Sequence, residues 1–412
     1  MMVRPLHTDT KYKPFQRHLA VLLVVLFSLS LFLSACGEDE TTAIPADYGD
    51  YGKNIALELA SLYPYRSAYS PEEKAAGEYV KSEFEKLGYE VEEQVFASPT
   101  DPSATSINYI VRINGEGLMV VGDDGEYHET HSQVIVGAHY DTYYGASSSA
   151  EAPDFDGIQD NASGVGCLLT IAAQLKDQTL GYDVVLIAFG AGDAEYAGAT
   201  YFASQLTAEE IANTDAMYCI DSIYAGDKLY ASSGWNSLIS GQKYDKRRKL
   251  YEAYDVAYDN CLSSINGVDL YYNESGIQTD INGDGVIDIY REITTTKSDY
   301  TPFDLAGIPT VYFESYDYNY TTLVEMKETK NLDLQTFGGS IRHTDLDSTE
   351  LLALSVDEDQ LTDRINNTAF IIVGAIMKGA HNGVSVSDYE AGETVAATVH
   401  IYSVETQTVS SS

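Results

Sequence analysis

The stretch Val134-Ile135-Val136-Gly137-Ala138-His139-Tyr140-Asp141-Thr142 frames the fold. Val134–Ala138 is an unbroken run of small and branched apolar residues, the pattern of a strand buried on both faces in a parallel sheet. A histidine and an aspartate follow at its carboxyl end, where open α/β sheets place their ligands. Residues i and i+2 of an extended segment share a face, so His139 and Asp141 can point into one site.

Two more runs of this kind, Val184–Phe189 and Thr310–Phe313, lie downstream. Asn161–Lys176 and Leu361–Met377 carry helical patterning between and after them. Upstream, Ser70-Pro71-Glu72-Glu73 is a helix start, with an N-cap serine, proline at the first position and glutamate at the third. Ala76, Val80, Phe84 and Leu87 continue it at helical spacing, and Gly88 stops it. Strands alternating with helices predict an α/β fold: a mixed, mostly parallel sheet sandwiched by helices in a single catalytic domain. Residues 223–298, rich in Tyr, Asp and Gly, read as a long insertion. The tail beyond Asn382 alternates Val, Thr and Tyr and is expected to add an edge strand.

The chain has 412 residues with 24 Lys+Arg against 63 Asp+Glu, a formal charge of −39. Such an acidic excess repels phosphate backbones and argues against a nucleic-acid partner. The 44% hydrophobic content excludes wholesale disorder. The four cysteines, Cys36, Cys167, Cys219 and Cys261, lack the spacing of a zinc finger and are too few for a disulfide scaffold. Cys167 and Cys219 lie in apolar stretches and read as buried small hydrophobes.

Arg4, Lys11, Lys13 and Arg17 precede an uncharged run over residues 19–35 that ends in small residues. The run is short for a spanning helix and reads as a signal peptide; the alternative is a plain membrane anchor. Leu33-Ser34-Ala35-Cys36 resembles a bacterial lipobox, in which the cysteine becomes the lipid-modified first residue. The expected plan is a lipoprotein signal peptide at 1–35, a polar tether at 36–49, the catalytic domain at 50–380 and an extension at 381–412. It places the mature chain on the extracytoplasmic face of a bacterial cell membrane, anchored through Cys36.

Further polar motifs accompany the first. Asp160-Asn161-Ala162-Ser163-Gly164 opens a helix, and its small residues permit close approach of the backbone to a site. Asp221 follows the apolar Met217–Ile220. Ser298-Asp299-Tyr300-Thr301-Pro302-Phe303 and Arg342-His343-Thr344-Asp345-Leu346-Asp347 come later. In this order, over roughly residues 50–380, the motifs resemble those of the di-zinc aminopeptidases, metallopeptidase family twenty-eight. The resemblance implies two zinc ions, with His139 and Asp221 on one, His343 on the other and Asp160 bridging both. Imidazole and carboxylate ligands suit zinc. Asp141 would orient His139, and Asp347 would stand behind the ligands near His343. The implied activity is removal of N-terminal residues from a peptide substrate.

The pattern breaks at Ala188-Phe189-Gly190-Ala191-Gly192-Asp193-Ala194-Glu195-Tyr196-Ala197-Gly198. The family carries two adjacent glutamates here, a general base and then a zinc ligand. Gly192 falls on the base position and Asp193 on the ligand position. Aspartate offers zinc the same hard oxygen, but glycine cannot accept a proton. Three readings stay open: Glu195 is the base beside the ligand Asp193, Asp193 is the base with Glu195 as ligand, or the metals remain without efficient catalysis. A non-catalytic binding protein and a one-zinc glutaminyl-cyclase-like acyltransferase are the corresponding alternatives to an aminopeptidase.

Asp280-Ile281-Asn282-Gly283-Asp284-Gly285-Val286-Ile287-Asp288 resembles the first nine positions of a calcium loop, with oxygen ligands at Asp280, Asn282, Asp284 and Asp288 and a turn glycine at Gly285. Arg291 stands where the bidentate glutamate of such loops belongs, and an Asp/Asn/Gly turn is the alternative.

Overall fold

The computed structural model describes residues 48–234, 247–274, 277–279, 288–290, 292, 294–320, 325–379 and 383–393. Strands are β1 (Glu92–Ala97), β2 (Thr105–Ile113), β3 (Leu118–Val121), β4 (Tyr127–Thr130), β5 (Gln133–His139), β6 (Asp183–Phe189), β7 (Thr214–Ile220), β8 (Lys228–Ser232), β9 (Leu270–Tyr271), β10 (Ile277–Thr279), β11 (Asp288–Tyr290), β12 (Thr310–Tyr316) and β13 (Gly383–Ser385). Eight of them form one sheet in the order β1-β2-β6-β5-β7-β12-β8-β9. Its centre, β6-β5-β7-β12, is parallel, while β1, β2 and β8 pair antiparallel to their inner neighbours. The mixed, mostly parallel α/β sheet is therefore as expected.

Helices α1 (Asp50–Leu62), α2 (Pro71–Lys86), α3 (Ser163–Leu175), α4 (Ala197–Gln205), α5 (Arg248–Asp259), α6 (Thr301–Ala306) and α7 (Gln360–Met377) cover it. Alternate residues of each central strand face opposite layers. Val134, Val136 and Ala138 join the larger core with α1, α3 and α7, and Ile135 joins Phe202 of α4 and Phe303 of α6 in the second. Both faces are thus buried, which is why the central strands are continuously apolar. Helix α2 starts as its sequence requires: Ser70 Oγ accepts from the Glu73 N–H at 3.0 Å. Gly88 ends it at φ +89°, a conformation that costs glycine nothing.

One expectation needs adjusting. The helix expected from Asn161 begins at Ser163, because Asp160 and Asn161 form an irregular turn with a cis peptide bond between them. Within the 223–298 segment, β8 pairs with β12, β9 pairs with β8, and α5 packs on α7. Past Asn382, β13 adds an edge strand as expected, pairing with β3 at one side of a separate three-stranded sheet. Strands β10 and β11 form a hairpin. Cys167 and Cys219 are buried and make no disulfide.

Candidate metal centre

The carboxyl ends of β5, β6 and β7 lie side by side, so the residues that follow them converge. His139 is the last residue of β5, in register with Phe189, the last of β6. Its Nε2 lies 3.3 Å from Asp160 Oδ1 and 3.7 Å from Asp221 Oδ1. His343 Nε2 lies 3.2 Å from Asp160 Oδ2 and 2.7 Å from Asp193 Oδ1. Asp160 thus turns one oxygen to each half of the centre. Two groups able to hold a cation result, His139/Asp160/Asp221 and Asp160/Asp193/His343, and Asp193 also clusters with His139 and Asp141. They open onto a cavity of about 160 Å³ that Glu195, Lys297 and Arg342 also line.

The supporting bonds explain the placement. Asp347 accepts from the Gln159 N–H at 2.7 Å and the Asp160 N–H at 3.1 Å. Asn161 donates to the Ile220 carbonyl and accepts from the Ser222 N–H, tying the Asp160 turn to the Asp221 turn. Asp221 Oδ2 accepts from the Tyr312 hydroxyl at 3.2 Å and faces the Arg342 guanidinium at 3.7 Å. Its Oδ1 faces His139 on the cavity side and also accepts from the Ser222 hydroxyl at 2.7 Å. The ring of Tyr143 stacks on His343 with centroids 4.5 Å apart.

Electrostatics mark the centre as a cation site. Burial pushes the Asp160 carboxyl up, but His139 and His343 outweigh it and hold it well below the usual range. Burial and the neighbouring Asp160 push Asp193 up to about 7, with His343 opposing. Burial pulls His343 down, yet Asp160 and Asp193 raise it to about 11. Three carboxylates on two imidazoles in a buried space require protons or a metal. Among the described residues, His139 Nδ1 and Asp193 Oδ2 are buried without a hydrogen-bond partner. Nitrogen and oxygen donors so arranged fit zinc.

All five expected ligand residues, His139, Asp160, Asp193, Asp221 and His343, come together here. Asp141 lies 3.4 Å from His139 Nδ1, but its better bonds go to the Gly192 N–H at 2.6 Å and the Asp193 N–H at 3.1 Å. It holds the Asp193 loop as well as facing His139. Asp347 stands behind the ligands: its carboxylate braces the Asp160 turn, whose N–H groups have no helical partner. Glu195 is exposed on the cavity wall, at φ +59°, and lies outside the three ligand clusters. Cys36 and the loop residues Asp280, Asn282 and Asp284 lie outside the described residues, and Asp288 begins β11.

Sequence reading missed three residues. Arg66, fully buried, donates to the carbonyls of Tyr63, Tyr140, Asp156 and Gly157, joining the His139 strand end to the Asp160 turn. No local pattern marks it. Arg342 reaches Asp221, Glu314 and Glu328, and its only signal was adjacency to His343. Asp299 is buried, and neither carboxylate oxygen has a hydrogen-bond partner among the described residues. Burial raises it to about 8, with His139 pulling down and Asp221 pushing up. It lies in the Ser298–Phe303 motif, and its only local signal is that motif.

Fold and site together define an α/β protein of the zinc-exopeptidase type. The pattern of Peptidase family M28 matches residues 120–352, more than half of the chain, and the chain belongs to that family. A curated relative, the alkaline phosphatase isozyme conversion protein of Escherichia coli K12, is 25% identical over 276 residues, covering 66% of this chain and 73% of its own. Among solved structures, a zinc aminopeptidase from Bacillus subtilis has a TM-score of 0.52 at 14% identity over 80% of this chain and 94% of its own. A glutaminyl cyclase from an Acidobacteriales bacterium also has a TM-score of 0.52, at 17% identity over 80% of this chain and 95% of its own.

Proposed function

We propose that the protein is a zinc-dependent aminopeptidase that removes residues from the N-termini of peptides. One observation carries the reading: Asp160 divides its two carboxylate oxygens between the His139 side and the His343 side at 3.3 and 3.2 Å. A carboxylate so placed can bridge two cations. His139 and Asp221 would hold one zinc, and Asp193 and His343 the other. Zinc bound there would lower the pKa of water and polarise the scissile carbonyl.

The chain's own groups supply the rest. Asp141 fixes the Asp193 backbone, and the Asp160 turn is braced by Asp347 and Asn161. The proton taken from water goes to the Glu195 carboxylate on the cavity wall, with Asp193 the competing acceptor. The relative named for converting alkaline phosphatase isozymes agrees with action on a polypeptide. We further propose that Cys36 tethers the protein by lipid to the extracytoplasmic face of the membrane.

Gly192 favours a second reading, a metal-retaining protein that binds ligands without turnover; the cyclase-like fold raises a third. A panel of aminoacyl-arylamides, with and without added zinc, tests all three. Zinc-dependent release from unblocked substrates is expected. Ligand binding without turnover, or pyroglutamate formation, would replace the aminopeptidase reading.

A further inference from the structure

Glu73 is a buried carboxylate that the mechanism above does not use. Its place in the sequence, third in helix α2 after the N-cap Ser70, is that of an ordinary capping glutamate, which bonds back to the N-cap N–H. Here the side chain does something else. Its Oε2 accepts from the Tyr69 N–H at 2.5 Å, and its Oε1 accepts from the Ser106 hydroxyl at 2.6 Å and from the Ala191 N–H at 2.8 Å. Ala191 begins the turn that carries Asp193. The next two N–H groups, of Gly192 and Asp193, donate to Asp141. Three successive backbone N–H groups are therefore held by two buried carboxylates, one of them 118 positions away in sequence. The turn needs such restraint: Ala191, Glu195 and Tyr196 all have positive φ, at +52°, +59° and +56°. Non-glycine residues adopt that conformation only where their surroundings impose it.

We infer that Glu73 is a positioning residue for the metal centre, anchoring the Ala191 end of the turn so that Asp193 meets His343 and Glu195 stays on the cavity wall. The inference rests on the proposed function, since it concerns the same site. It makes helix α2 part of the metal site's support as well as a layer of the core. Loss of the anchor leaves the Ala191 N–H buried without an acceptor and frees the turn to move. Groups that orient metal ligands in this way typically change metal affinity or activity by about 10–100-fold when removed.

The experiment is a zinc titration of the full protein against a chromophoric chelator, alongside kcat and KM for an aminoacyl-arylamide. Glu73→Ala is expected to weaken one of the two zinc sites about tenfold and to lower kcat with KM little changed. Glu73→Gln keeps an oxygen for Ala191 and should restore most of both. A purely structural Glu73 would lower the melting temperature while zinc affinity and kcat stay at wild-type values, and that result overturns the inference. Should Glu73→Ala fail to fold, Glu73→Asp, one methylene short of Ala191, is expected to show the same zinc loss; wild-type affinity there overturns it equally. A wild-type protein that takes up no zinc would remove the functional reading itself, whereas unchanged affinity in the variants removes only this inference.

Discussion

A Cβ on Gly192 would sit 2.4 Å from both Cβ and Cγ of His139. Position 192, which the family resemblance aligns with a general base, is here closed to any side chain unless His139 moves. The obstacle is this neighbour and not the backbone angle, since Gly192 is not among the residues of positive φ. Gly192→Ala should therefore displace His139 and lower both zinc content and activity, and Gly192→Glu should not improve catalysis. Elemental analysis with steady-state kinetics checks this. A Gly192→Glu variant more active than wild type would show that the space exists.

The proton acceptor can be assigned by two substitutions. Glu195→Gln should keep both zinc ions and lower kcat by about 10²-fold or more. Asp193→Asn should instead weaken zinc, because Asp193 touches His343 at 2.7 Å. Full activity in Glu195→Gln would move the role to Asp193 or to bulk water.

Arg66 should be among the most sensitive positions away from the ligands. Its guanidinium satisfies four buried or partly buried carbonyls. Arg66→Met leaves the Tyr63, Tyr140 and Asp156 carbonyls without that donor, Gly157 still accepting from the Ala162 N–H, at roughly 1–3 kcal/mol for each buried group. Urea unfolding of the zinc-free protein should show a loss of about 3 kcal/mol or more, and a loss under about 1 kcal/mol would contradict the assignment.

Zinc uptake should release protons. Without metal, His343 is raised to about 11 and Asp193 to about 7. At pH 7 His343 is then protonated, and zinc requires it neutral. Calorimetry in two buffers of different ionisation enthalpy should report at least one proton released per chain at pH 7. The His343 contribution to zinc-free stability has the matching sign. It is fully present below the ordinary histidine pKa of about 6.5 and fades as pH rises toward 11. Zinc binding without proton release would contradict this electrostatic picture.

The legible and illegible parts of this chain differ for physical reasons. Val134–Ala138, Val184–Phe189 and Thr310–Phe313 could be read because strands buried on both faces must be continuously apolar. Ser70 and Gly88 bounded a helix because caps are local. The five candidate ligands could be listed because their motifs, in order, resemble those of a known family; of the five, His139, Asp193 and Asp221 follow strand ends, while Asp160 and His343 sit in a turn and a loop that only the fold brings to them. Strands β8 and β9 could not be read: Lys228–Ser232 is half polar and Leu270–Tyr271 is two residues long, so only the completed sheet reveals them. Arg66 and the bonds of Asp347 to Gln159 and Asp160 join positions far apart in the chain and leave no local signature. The reason for Gly192 is likewise tertiary, since it is set by the ring of His139.

The central claim is that Asp160 bridges two metal ions. Native mass spectrometry of the zinc-reconstituted protein tests it most directly. Two zinc ions per chain are predicted for wild type, and Asp160→Ala should retain neither at stoichiometric zinc. A wild-type chain that holds a single zinc, or none, would contradict the account.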